Sequence, residues 1–300
     1  MENADVRKSL IADISLLVVA VIWGGGFIAA KIALLSITPF YLLSFRFLCS
    51  GIILYMIFFK KMIKIDRQSF IAGITLGLIL YAGQTFQTVG LKYTTAGKQS
   101  FLTASYAAIV PFASWLVTKK APNIYAVLAG FLTLIGIGFL SLQQNISISF
   151  GDSLTLLFTV VYSFQIILIG IYAKRDINPI HLTTVQLLSA GIFTLISALI
   201  FEPHMHVPDN RGIAGILYLI IFNTTIAFLV QNVAQKYTSD THASIILSLE
   251  SVFGCFLSIL LMGEVFTKKM VIGCIIIFIA VILSKTDRLH SLPGRQSSDS

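Results

Sequence analysis

The feature that most constrains this chain is a succession of ten apolar runs, at 11–35, 39–59, 70–91, 99–118, 123–142, 152–173, 179–201, 212–235, 242–262 and 270–285. A helix needs about 20 apolar residues to cross the hydrocarbon core of a bilayer, and every run except the last reaches that length. The gaps between runs are short, which leaves no room for a soluble domain. Only 11% of the residues are charged, against about 25% in soluble domains. The fold class expected is therefore an all-α integral membrane protein with ten transmembrane helices.

The net charge of +8 does not point to nucleic acid, which would require a basic patch on a folded face. The basic residues sit in the gaps instead. With a cytoplasmic N-terminus, fourteen Lys and Arg fall on the inner side and five on the outer side; Lys31 and Arg46, within spans, complete the 21. That bias places both termini in the cytoplasm and the chain in the cell membrane as a multi-pass protein. The run 11–35 is far longer than the apolar core of a signal peptide, about 7–15 residues, and is expected to remain as a spanning helix. Cys49, Cys255 and Cys274 lie inside apolar runs, where free thiols are the expectation.

The chain also repeats itself. Pro39-Phe-Tyr-Leu42, leading to Arg46, is echoed by Pro179-Ile-His-Leu182, leading to Gln186. Ile71-Ala-Gly-Ile74 returns as Ile213-Ala-Gly-Ile216, and Gln87-Thr-Val-Gly-Leu-Lys92-Tyr-Thr94 as Gln231-Asn-Val-Ala-Gln-Lys236-Tyr-Thr238. The offsets are 140, 142 and 144, so the blocks keep their order across small insertions. The expected organisation is a cytoplasmic N-terminus (1–10), a first five-helix repeat (11–142), a linker (143–151), a second repeat (152–285) and a disordered cytoplasmic tail (286–300). Five is odd, so the second copy enters the membrane from the opposite side. Inverted repeats of this kind recur in secondary transporters, with the binding site at the repeat interface.

With these motifs the chain resembles the drug/metabolite transporter superfamily, of the EamA type. The resemblance rests on Ile22-Trp23-Gly24-Gly25-Gly26-Phe27 running to Lys31, on Pro39 followed by Arg46, on Lys92-Tyr93-Thr94-Thr95-Ala96, and on Ser248-Leu-Glu250-Ser-Val252-Phe253 with Gly263-Glu264. It implies two inverted five-helix repeats around a central cavity lined mostly by helices 1, 3, 4, 6, 8 and 9. It also implies export or exchange of small polar metabolites, commonly amino acids, with no cofactor. The chain departs from the pattern at Lys119-Lys120, where the second repeat has Gly-Glu, and at Glu250-Ser251, where Glu-Pro is common.

Ionisable groups deep in a bilayer cost about 2.5–3.5 kcal/mol on insertion scales, so they normally face a cavity or a partner. Arg46 lies about 10 Å down its helix from Pro39 at 1.5 Å per residue. It either presents a guanidinium to an anionic substrate group or is tied to backbone carbonyls or headgroups. Lys31, on one face with Trp23 and Phe27, either joins the pathway or snorkels outward. Glu250 is the one carboxylate well inside a span. It suits proton coupling or recognition of a substrate amine, or else is a hydrogen-bonded structural group. Its counterpart by the offset of 144 is Tyr106. Tyr81, Gln84 and Gln87 on helix 3, and Asn223 and Gln231 on helix 8, either line a wet cavity or bond helices together. Gly24, Gly25, Gly26 and Pro111 are candidate hinges, with tight packing or a static kink as the alternative.

The functional expectation is a secondary transporter of a small polar metabolite, working by alternating access, with the lipid bilayer as its surroundings and protons as a candidate coupling ion. A membrane-embedded enzyme is the rival class. It would need a nucleophile–base set or metal ligands at one depth, and no catalytic or metal-binding residues are assigned. A transporter of nucleotide-type substrates is a further alternative. No Gly-x-x-x-x-Gly-Lys-Ser/Thr loop occurs, which sets aside an ATP-driven pump.

Overall fold

The computed structural model describes residues 2–119, 121–141, 149–202, 204–205, 207–262 and 268–290. The Gly263-Glu264 motif, Lys120, most of the 143–151 linker and the end of the tail lie outside the described residues. Every regular element described is helical. Eight helices are long and apolar enough to cross a membrane, and two shorter apolar stretches accompany them, Ile124–Phe139 and Val271–Ser284. In chain order the helices are α1 (Glu2–Ala33), α2 (Pro39–Ile57), α3 (Arg67–Lys92), α4 (Ala96–Thr118), α5 (Ile124–Ser141), α6 (Phe150–Lys174), α7 (Pro179–Phe201), α8 (Asn210–Ala234), α9 (Asp240–Leu261) and α10 (Lys268–His290).

Local chemistry sets where these helices begin. Proline opens α2 and α7, where the missing amide costs no intrahelical bond. Asp66 caps α3 by accepting from Ser69 N and Oγ at 2.8 and 2.5 Å, and these bonds hold its exposed carboxyl below the usual range. Thr95, Ser149, Asp209 and Ser239 cap α4, α6, α8 and α9 in the same way.

In lipid, helices are held by close packing and hydrogen bonds more than by apolar burial. α2 lies along α7, and α5 along α10; α3 packs on α6 and α7, while α1 packs on α8 and α9. The α2–α7 contact is close because each helix offers a glycine. A Cβ at Gly51 would come 2.7 Å from Leu188, and one at Gly191 would come 2.7 Å from Leu48. The outward surface is apolar, with side chains such as Met56, Phe201 and Ile282 largely exposed, as a lipid-facing bundle requires.

Two irregularities position the interior. α4 is helical over Ala96–Thr103 and Tyr106–Thr118 with a break at Ala104–Ser105, and α9 over Asp240–Leu247 and Glu250–Met262 with a break at Ser248–Leu249. The breaks are 144 residues apart, the offset of the strongest sequence echo. In α8, residues Leu219–Ile226 form a π-helix. Each i→i+5 bond encloses one residue more than an α-helical bond. The sequence offset between α3 and α8 grows from 142 at Ile216 to 144 at Gln231, and the π-helix lies in the interval that holds the two additional residues. α1, by contrast, runs unbroken through Gly24-Gly25-Gly26.

Candidate functional site

The interior elements converge on a cavity of about 50 Å³, room for a few waters at about 10–15 Å³ each. Its lining divides into a polar set, Arg46, Gln84, Gln87, Asn223 and Glu250, and an aromatic set, Trp23, Phe27, Phe158, Tyr162 and Phe228.

Arg46, on α2, is only 7% exposed. Its Nε donates to Thr224 Oγ1 at 2.6 Å, Nη1 to Gln84 Oε1 at 3.0 Å and Nη2 to Asn223 Oδ1 at 2.7 Å. All three acceptors are neutral, and among the described residues no carboxylate pairs with this guanidinium. Burying a cation without a counter-charge is costly, and a guanidinium carries five N–H donors. Neutral side chains thus occupy the guanidinium without neutralising it. Asn223 and Thr224, adjacent in sequence, both reach this one guanidinium from within the π-helical stretch Leu219–Ile226.

Glu250 is the first helical residue after the α9 break and is 4% exposed. Tyr106, the first helical residue after the α4 break, donates its hydroxyl to Glu250 Oε1 at 3.0 Å. The Tyr106 ring packs edge-on to Tyr162 at 5.5 Å, and Tyr162 stacks on Phe158 at 5.1 Å and meets Trp23 at 6.0 Å. Trp23 then contacts Phe228 at 5.5 Å and donates from Nε1 to the Asn223 carbonyl at 3.0 Å. One continuous aromatic chain thus ties α4, α6, α1 and α8 together around Arg46 and Glu250.

The sequence profile of the EamA-like transporter family matches residues 10–142 and 149–286. The chain belongs to the EamA-like transporter family. An Archaeoglobus fulgidus protein named as an uncharacterized transporter is 35% identical over 282 residues, covering 94% of this chain and 88% of that protein. A Chlamydia muridarum protein named as an S-adenosylmethionine/S-adenosylhomocysteine transporter is 23% identical, covering 86% of this chain and 89% of its own length. One crystal structure shares the fold with a TM-score of 0.75 at 14% identity, covering 92% of this chain and 97% of that one. The protein is thus a multi-pass membrane transporter.

In this EamA-like transporter Arg46, Gln84, Gln87, Asn223, Glu250 and Trp23 come together at the cavity, and four other sequence candidates stand apart from its lining. Tyr106 lies behind Glu250 and acts on the cavity through it. Gln231 sits behind Tyr162, accepting from its hydroxyl at 3.4 Å and donating to Gln235 at 3.0 Å. Lys31 donates to the Leu91 and Thr94 carbonyls at 2.6 and 2.7 Å, closing the end of α3. Tyr81 bonds Ser197 at 2.7 Å and packs on Phe193, because the lower half of α3 faces α7 while only the upper half opens to the cavity.

The candidate hinges serve close contacts in this conformation. A Cβ at Gly24 would lie 2.7 Å from Gly254 N, one at Gly25 would lie 2.6 Å from the Tyr218 hydroxyl, and one at Gly26 would overlap Asn223. Pro111 sits inside an unbroken helical stretch, and the Ala107 carbonyl that it leaves unbonded faces Gly130 of α5. Three polar neighbours of the cavity and two of its aromatic residues, Phe158 and Phe228, were not anticipated. Thr224 lies in the π-helix, which apolar patterning does not register. Gln99 and Thr103 lie in the short first segment of α4, where Gln99 donates to the Gln87 carbonyl at 2.7 Å and Thr103 accepts from Gln87 Nε2 at 3.3 Å. A polar count along residues 99–103 would have found both.

Proposed function

We propose that this EamA-like transporter carries a small metabolite bearing both a carboxylate and an amine, an amino acid or a related compound, across the cytoplasmic membrane by alternating access, in efflux or exchange. The observation that carries the reading is Arg46, a buried cation held only by neutral acceptors in the same cavity as Glu250. The guanidinium takes the carboxylate and Glu250 takes the amine or a coupling proton. On this reading the chain is a carrier and not an enzyme.

Several features support ten spans in two inverted five-helix repeats with both termini in the cytoplasm. The matching breaks of α4 and α9 share one offset. The packing pattern maps onto itself when α1–α5 are exchanged for α6–α10: α3 on α6 becomes α8 on α1, and α1 on α9 becomes α6 on α4. Two positions related by a two-fold axis touch each other only near that axis. Tyr106 and Glu250, 144 apart, are hydrogen-bonded, which suits an axis through the cavity. A space of about 50 Å³ admits no metabolite, so binding requires one end of the bundle to open.

A second substrate reading has its own observation. The aromatic set would stack a purine as well as an amino acid side chain, and the Chlamydia muridarum relative is named for two compounds that carry both. One experiment tests these readings together. Purified protein in liposomes is assayed for counterflow of labelled amino acids, nucleosides and S-adenosyl compounds. Counterflow of a zwitterion that is competed by its carboxylate-bearing analogues, but not by its ester, is expected. Exchange of nucleosides alone would remove the zwitterion reading. No counterflow of any solute, with a lipid or headgroup chemically altered instead, would replace transport with enzymatic action.

A further inference from the structure

The first segment of α4 and the start of α6 are joined by Lys98 and Asp152, whose Nζ and Oδ2 lie 2.6 Å apart. Asp152 also accepts from Thr94 Oγ1 and Ser149 N, each at 2.8 Å. At the opposite end of the bundle the first segment of α9 meets α1 through His242 and Asp13, with Nε2 and Oδ1 3.2 Å apart. Counterparts in α4 and α9 are 144 residues apart, so His242 matches Lys98. If Trp23 and Tyr162, whose rings meet in the centre, are taken as counterparts in α1 and α6, their offset is 139 and Asp13 matches Asp152. On that pairing the two contacts correspond, one at each end, with lysine in one and histidine in the other.

We propose that Asp13, His242 and Ser284 form a proton-binding site that latches α1 to α9 at the end carrying the N-terminus; Lys98–Asp152 is its pH-independent counterpart at the other end. The proposal deepens the alternating-access reading and rests on it. His242 is 2% exposed and its Nδ1 lies 2.9 Å from Ser284 Oγ on α10. The Ser284 hydroxyl also lies 2.8 Å from the Val281 carbonyl; when it donates there, its oxygen accepts from Nδ1–H. With Nδ1 protonated, a neutral imidazole turns a bare Nε2 lone pair toward the Asp13 carboxylate. One further proton removes that repulsion: both ring nitrogens then donate, to Ser284 and to Asp13. Bulk water at that end supplies the proton.

Of the elements packed against this stretch of α9, α1 also carries Arg7 and Lys8, on the N-terminal side of Asp13. α6 contributes Lys174, opposite Asp240, whose carboxylate packs against Gly170. The helical residues of α4 beyond its break and those of α5 contribute none. The site is also less fully satisfied than its counterpart. Thr238, which matches Thr94, has a shielded hydroxyl with no hydrogen-bond partner, whereas Thr94 bonds Asp152. Histidine is the side chain whose charge changes within the physiological range. A proton shared between His242 and Asp13 ties α9 to α1, so linkage makes the closed conformation more populated as pH falls.

The test is a distance, and it can be read whether or not a substrate is known. Spin labels replacing the exposed Val6 on α1 and Ile282 on α10 report the state of this end in lipid nanodiscs. The short-distance population is expected to rise severalfold as pH falls from about 8 to 5. His242→Lys should hold it high at every pH, and His242→Gln should abolish the response. Retention of the wild-type response in His242→Gln, or a wild-type population that does not vary with pH, would overturn the proposal. A pH-dependent distance in a protein that moves no solute would keep the latch and discard the transport reading.

Discussion

α4 and α9 have the same backbone plan: eight helical residues, a two-residue break, then thirteen more. Their side chains differ at each place that matters to the interior. At the offset of 144, Lys98 matches His242, Tyr106 matches Glu250, and Pro111 matches Cys255. The difference teaches that two stretches can keep one backbone shape while their interior side chains diverge. Two identical halves would present the same group to both ends of a ligand, whereas a phenol bonded to a carboxylate at the centre gives the cavity a direction. α3 and α8 differ more deeply, because the π-helix changes the backbone itself in the stretch from which Asn223 and Thr224 reach Arg46.

The largest effect should come from erasing the strongest asymmetry, that between Arg46 and its counterpart Gln186. Arg46→Gln makes the two halves alike at this position and removes the one cation of the cavity lining among the described residues. Hydrogen bonds to charged groups contribute about 1.5–3 kcal/mol each, and 1.4 kcal/mol is a factor of ten. Counterflow should therefore fall about 100-fold at subsaturating substrate. Wild-type affinity for carboxylate-bearing solutes in Arg46→Gln would show that the guanidinium serves only to bind Thr224, Gln84 and Asn223.

A smaller effect should follow at the central pair. Glu250→Gln removes a proton-binding group and should lower pH-driven uptake about tenfold while leaving counterflow at equal pH less affected. Tyr106→Phe removes one hydrogen bond, worth about 0.5–1.5 kcal/mol, and should change transport by no more than a few-fold. Equal losses in the two variants would mean that the pair acts as a structural tie and that its asymmetry has no bearing on transport.

How much of this was legible in the sequence depends on what each feature does to hydropathy. The apolar run 70–91 lies within Arg67–Lys92 and 179–201 coincides with Pro179–Phe201, since lipid-facing length is what hydropathy measures. The pairing of Tyr106 with Glu250 followed from the offset of 144. The break at Ala104–Ser105 interrupts no apolar run, so hydropathy could not register it, and Pro111 drew attention to the wrong turn of α4. The π-helix left only an indirect trace, the two-residue growth of the offset along α8. Tyr81 shares a stripe with Gln84, but a stripe does not say where along its length the neighbouring helix ends and the cavity begins. The role of Lys31 depended on the carbonyls at the end of α3, a contact 60 residues away in sequence.

The smallest effect concerns how closely the halves approach. α1 meets α9 through Gly24 and Gly254; at the corresponding contact of α6 with α4 the same offsets give Ser163 and Val110. The first contact has no space for a methyl group, since a Cβ at Gly24 would sit 2.7 Å from Gly254 N and 2.8 Å from Phe253 Cβ. Gly24→Ala should therefore force α1 from α9 and cost about 1–3 kcal/mol by overpacking, lowering the thermal midpoint in detergent by a few degrees. Gly138→Ala is the control, because nothing lies within 4 Å of its new Cβ; it gains helix propensity of up to about 1 kcal/mol and should leave the midpoint unchanged or raised. If both variants melt together, α1 and α9 are not held at this distance in the membrane protein, and the glycines of α1 mark a helix that bends there instead of one that is clamped.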